Sequence, residues 1–169
     1  MNINRIEFIQ NNLFFFFIMI VFCLIQLSLN FLSLFKISQP YIIAIILFFL
    51  IRRMKSLPSD IIIILCGFFY DLIAGSLLGM HSLLFIIIKI FTSNFKYSFY
   101  IDKKYGEWFL FSFVYIVSII LTKFIFVLIN LKVPDIYAIS YNIGTTLLIF
   151  PIILTFINLP KLFLKYVGR

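Results

Sequence analysis

The segment Gly67-Phe-Phe-Tyr-Asp71-Leu-Ile-Ala-Gly75-Ser-Leu-Leu-Gly79 sets one carboxylate among three of the chain's six glycines, at four-residue intervals. It lies inside an apolar run from Ile61 to Ile88. A carboxylate in hydrocarbon is costly, so Asp71 is read as a functional position that needs a partner. The glycines mark where a second backbone can come close. Two lysines inside apolar runs are the candidate charge partners. Lys123 lies about 10 Å along its helix from Asn130, and Lys89 about 15 Å along its own from Gly79. Asp71 lies about 6 Å below Gly75 on the same arithmetic, so Lys123 is the nearer match and an Asp71–Lys123 pair is expected.

Catalytic arrangements are missing. The sequence has no Gly-rich phosphate loop, no zinc-binding His pair, no Gly-x-Ser-x-Gly and no Cys–His pair. An intramembrane aspartyl hydrolase needs two carboxylates sharing a site, and only Asp71 is well inside a span. Asp135, in Val133-Pro134-Asp135-Ile136, reads as part of a turn. His81 is expected to be an interfacial hydrogen-bonder rather than a ligand, and Cys23 and Cys66 to be buried thiols acting as small hydrophobes. The reading is therefore non-enzymatic, without metal or cofactor.

Composition says what must hold these residues. Of 169 residues, 64% are hydrophobic and 12% charged, with a mean hydropathy of +1.18. Soluble domains carry about 25% charged residues, so this is an integral membrane protein in contact with lipid. One membrane domain over residues 1–169 is expected, since no polar stretch is long enough to fold alone. The abundance of Phe, Ile, Lys and Asn beside only three alanines fits an AT-rich, bacterial genome. The net charge of +8 is spread singly between apolar runs, which is not a nucleic-acid footprint. The apolar run after Arg5 continues to Phe35 with no small-residue cleavage site, so a retained first helix is expected rather than a signal peptide.

About 20 helical residues cross a ~30 Å hydrocarbon core. Leu13–Phe35, Trp108–Asn130 and Ala138–Leu159 each fit one crossing. Pro40–Ile51 is shorter and would gain length from its flanks, with Pro40 in the first turn of its helix. Ser59 or Asp60 is expected to cap the next helix. The run from Asp60 to Phe91 would be about 48 Å as one helix, too long for one crossing. It is either one tilted helix or a hairpin, and basic residues decide between them.

A hairpin near Gly75–Gly79 puts Arg5, Arg52, Arg53, Lys55, Lys96, Lys103, Lys104, Lys161, Lys165 and Arg169 on the cytoplasmic side, against Lys36 and Lys132 outside. A single helix would leave five basic residues inside and seven outside. Six crossings with both termini inside are therefore expected, at approximately 13–35, 38–51, 60–75, 79–95, 108–130 and 138–159. Arg52, Arg53, Lys55, Lys103 and Lys104 carry most of that topology signal. The stretch Thr92–Glu107, mixing lysine with aromatic rings, reads as a cytoplasmic interface.

Pro40, an apolar span, Arg52-Arg53, a second apolar span and then Gly67 through Gly79-Met-His81-Ser-Leu resemble the rod shape-determining protein MreD family. The pattern shared is a glycine, an apolar run, an Asp, then a small-residue turn leading to Leu-Gly and an apolar helix. The likeness covers Pro40–Leu84, and this chain has Leu77 where that family often has proline. It implies a multi-pass protein of the bacterial inner membrane within the cell-elongation machinery. It implies partnership with the single-span MreC and, directly or through it, with MreB filaments and the elongation glycosyltransferase–transpeptidase pair. It implies a fold distantly similar to substrate-binding subunits of energy-coupling-factor transporters. Gly67, Asp71, Gly75 and Gly79 match the family pattern, and the role expected for them is helix packing and partner docking. The alternative is a substrate-binding membrane subunit of a small-molecule (vitamin) transporter. That would need a polar pocket built from residues such as Asp71, His81, Lys123, Asn130 and Asn142.

Overall fold

The computed structural model describes residues 5–31, 39–54, 57–95, 105–130 and 134–167, with side chains except at 5–7, 30–31, 105, 130 and 157–167. These residues form six α-helices and, among them, no strand. They are α1 (Arg5–Phe31), α2 (Ile42–Arg53), α3 (Asp60–Ala74), α4 (Met80–Asn94), α5 (Tyr105–Asn130) and α6 (Ile136–Val167). Three stretches are long and apolar enough to cross a membrane: Phe8–Leu29, Gly106–Ile129 and Ile136–Phe156. Large apolar side chains such as Leu13, Phe17, Phe68, Phe124 and Leu148 lie exposed around the bundle, a periphery that suits lipid.

The 32-residue apolar run is broken, as the hairpin reading requires. Gly75 ends α3 in the left-handed region at φ 65°, and Gly79 precedes α4 at φ 91°. Both are conformations that an L side chain strains to adopt. The two helices then pack so closely that a Cβ on Gly67 would lie 2.3 Å from Ser82 Cα. Ser82 Oγ, at that crossing, donates to Ile64 O at 2.9 Å. Of the glycines expected to pack helices, Gly67 does so, whereas Gly75 and Gly79 shape the turn.

The core is α2. Every residue from Ile43 to Phe49, and Ile51, is buried. A helix apolar on all sides must be covered on all sides, and α1, α4, α5 and α6 all pack against it. Phe48 meets the rings of Phe111 and Phe150 edge-on, while Phe111 stacks on Phe150 at 4.5 Å between centroids. Cys23 and Cys66 are buried and free in the same core, as expected.

The length expected for α2 is corrected. Its twelve residues span about 18 Å: the C-terminal flank adds only Arg52 and Arg53, and the N-terminal flank adds nothing. Pro40 is not in its first turn but two positions before Ile42. Side chains from α1 and α6 hold this non-helical entry. Gln26 accepts from Ile42 N–H at 2.8 Å and donates to Pro40 O at 3.0 Å. Thr146 Oγ1 accepts from Tyr41 N–H at 2.9 Å, and Asn142 Nδ2 donates to Gln39 O. These bonds satisfy the backbone of the entry from within the protein, while Gln39 Oε1 and Tyr41 Oη are buried without a partner among the described residues.

At the other end of the bundle, Ser59 occupies the cap position of α3, but its side chain makes no capping bond. Asn12 of α1 instead accepts from Ser59 N–H at 3.0 Å. Asn12 and Gln26 lie on the buried stripe of α1 with Phe15, Met19 and Cys23, spaced three or four residues apart. In α6, Pro151 lacks the N–H that would bond Leu147 O. Trp108 Nε1–H takes that carbonyl at 3.1 Å. Of the topology residues, Arg52 and Arg53 close α2, and Lys55, Lys103 and Lys104 lie outside the described residues.

Two substitutions test this packing. Gly67→Ala should lower stability by about 1–3 kcal/mol, because the added carbon meets backbone that cannot rotate away. Unchanged thermal unfolding of the detergent-solubilised protein would refute the close crossing. Trp108→Phe should cost roughly 0.5–1.5 kcal/mol by stranding one carbonyl. In a Pro151→Ala background, where the helix itself supplies the donor, that cost should shrink.

Candidate functional site

Asp71 is the last acidic group of α3 and is fully buried. Helix α3 stops three residues later, and the chain reverses so that the start of α4 lies against its carboxylate. Gly79 N–H donates to Oδ2 at 2.8 Å, and His81 N–H lies 3.3 Å from both oxygens. Ser76 Oγ donates to Oδ1 at 2.7 Å. His81 Nδ1 is 2.5 Å from Oδ1, one proton lying between them. The backbone completes the closure, with Gly75 N–H and Ser76 N–H both bonding Asp71 O.

The first amides of any helix lack intrahelical partners, and negative charge favours that end. Asp71 therefore caps α4 from the end of α3. The Asp71–Lys123 pair expected from depth is corrected accordingly, for the reversal delivers donors to Asp71 at contact distance before α5 can reach it. Lys89 is likewise placed elsewhere: it bonds Pro58 O at 2.7 Å and forms an ion pair with Asp60 at the opposite end of the hairpin. Asp71 is fully buried, and the hydrogen-bond partners it has here all belong to its own α3–α4 turn. His81 is the hydrogen-bonder expected, and its partner is Asp71.

Rings fix the imidazole. Tyr41 stacks on His81 at 5.7 Å and 26°, and Tyr70 meets its edge at 4.6 Å. With Nδ1 engaged by Asp71, the imidazole's remaining polar atom is Nε2, which has no hydrogen bond among the described residues.

Beside this ring lies a cavity of about 280 Å³ between α4, α5 and α6. Its polar wall includes His81, Tyr115, Thr122, Lys123, Asp135 and Asn142. Its apolar wall includes Leu84, Ile119 and Ile139. Of the five pocket residues expected, the fold brings His81, Lys123 and Asn142 to one cavity. Asp71 stands behind His81, and the side chain of Asn130 lies outside the described residues.

Most of the polar wall is already engaged. Tyr115 Oη donates to Asn142 Oδ1 at 2.6 Å, and Thr122 Oγ1 donates to Ser118 O at 2.7 Å. Asp135 caps α6, accepting from Tyr137 N–H at 2.9 Å and Ala138 N–H at 3.4 Å. Among the described residues no carboxylate lies within 4 Å of Lys123, whose ammonium sits 5.8 Å from the Phe126 ring centroid.

The roles of Tyr41, Tyr115 and Thr146 escaped sequence reasoning. An aromatic or Thr in an apolar run carries no mark of what it will face. No group of three metal-ligating side chains occurs among the described residues. The built chemistry is a capped turn holding an oriented imidazole at the edge of a cationic, part-apolar cavity.

A double-mutant cycle separates the two readings of Asp71. Asp71→Ala and His81→Ala should couple by more than about 1 kcal/mol, because they share a charge-assisted bond. Asp71→Ala and Lys123→Met should be additive within about 0.5 kcal/mol. Thermal unfolding in detergent reads both, and strong Asp71–Lys123 coupling would restore the depth-matched pair.

Comparison with protein-family models, curated proteins and solved structures returns no match for this chain.

Proposed function

We propose that the chain is a non-enzymatic membrane scaffold of the bacterial cell-elongation machinery, of the MreD kind. The observation that carries the reading is that the residues of the resemblance work as one structural unit. Gly67 lets α3 and α4 touch, Gly75 and Gly79 turn the chain, and Asp71 locks the turn. A motif so used fits a rigid platform rather than a reaction centre. In this reading all six helices lie in the inner membrane, short α2 being buried among the others. Both termini are cytoplasmic, on the side of Arg52 and Arg53. The apolar outer faces of the bundle receive lipid and the span of an MreC-type partner, and MreB filaments and the glycosyltransferase–transpeptidase pair are reached directly or through that partner.

The cavity beside His81 favours a second reading, a substrate-binding subunit of a small-molecule transporter.

Depletion in the source organism distinguishes the two. Conversion of rods to spheres is expected, with rescue by the wild-type gene and weaker rescue by Gly67→Ala. Unchanged shape together with a vitamin requirement would favour the transporter. Green fluorescent protein fused to the C-terminus should fluoresce, as cytoplasmic fusions do, and a dark but inserted fusion would overturn the six-crossing topology.

A further inference from the structure

A lysine inside a membrane helix is retained when it pairs with an acid or faces a polar cavity. Lys123 is seven residues from the end of α5, lines the cavity and has no carboxylate within 4 Å among the described residues. The acids nearby are committed: Asp71 to the α3–α4 turn, and Asp135 to the first amides of α6. The rest of the wall combines apolar Leu84, Ile119 and Ile139 with the Tyr115–Asn142 bond that ties α5 to α6, and with the buried Tyr41 Oη, which has no hydrogen-bond partner among the described residues. A volume of about 280 Å³ is close to the lower end of the ~300–1,000 Å³ of small-molecule sites.

We propose that the cavity between α4, α5 and α6 binds an amphiphilic anion, a carboxylate or phosphate on a small apolar body, with Lys123 as its counter-ion. Leu84, Ile119 and Ile139 take the apolar body. His81, held by Asp71 through Nδ1, offers Nε2 to a hydroxyl or amino group beside the anion. The head group can belong to a soluble small molecule or to an anionic lipid. The inference does not depend on the cell-elongation reading, because it concerns binding by the isolated protein.

Thermal unfolding of the full chain, titrated with naphthylacetate, naphthyl phosphate and neutral naphthylethanol, tests it. The two anions should stabilise saturably and the alcohol should not. Lys123→Met should weaken anion binding by at least about tenfold, and Lys123→Arg should retain it. Ala138→Phe, which fills the cavity without touching the charge, should abolish binding, so the outcome does not hang on the folding of Lys123→Met. Nanodiscs with and without phosphatidylglycerol separate the two sources. Displacement of naphthylacetate by that lipid identifies a head-group site, and undiminished binding identifies a soluble ligand. Equal stabilisation by naphthylethanol, undiminished binding to a folded Lys123→Met or to Ala138→Phe, or no saturable response to either anion would overturn the proposal.

Discussion

The α3–α4 reversal depends on one carboxylate. The first amides of a helix have no intrahelical partners, and each one orphaned away from water costs free energy comparable to a lost hydrogen bond. Asp71 removes that cost for α4 by accepting from Gly79 and His81 amides while Ser76 and the imidazole take up its remaining capacity. With the turn closed, Gly67 can lie against Ser82, and α4 is presented to α2 and α5. Gly75 and Gly79 allow the chain to reverse there, and the carboxylate locks the reversal.

The same need recurs at three other irregular points of the described backbone, and at each a side chain from another helix answers it. Gln26 and Thr146 hold the entry to α2, Asn12 takes the amide before α3, and Trp108 takes the carbonyl that Pro151 leaves open. Between helices in lipid there is little hydrophobic drive, so close packing and hydrogen bonds such as these carry association. They also explain how a twelve-residue helix serves as the core. α2 need not cross the bilayer by itself, because its start is finished by side chains of α1 and α6 rather than by solvent.

These devices bear directly on function. A rigid turn orients His81, the spacing of α5 and α6 is held by Tyr115 and Asn142, and Lys123 is left facing the resulting cavity. The two proposed roles are therefore compatible uses of one architecture: the apolar exterior suits lipid, while polar side chains of α4, α5 and α6 line a cavity.

Composition and periodicity by themselves determined the membrane class, the all-helical fold and the hairpin near Gly75–Gly79. They rest on local properties: apolar length, glycine's access to positive φ, and the counting of basic residues. The segment around Asp71 was legible as a site for the same reason, since a carboxylate in an apolar run is an anomaly in any fold. Its partner was not legible. Depth along ideal helices matched it to Lys123, but a reversal brings residues ten positions apart into contact, and His81 arrives first. Likewise the buried position of α2, the capping by Gln26 and Asn12, and the cavity on Lys123 are agreements between helices distant in sequence. Only the tertiary structure decided them, because which donor meets which acceptor is set by packing geometry that no single helix contains.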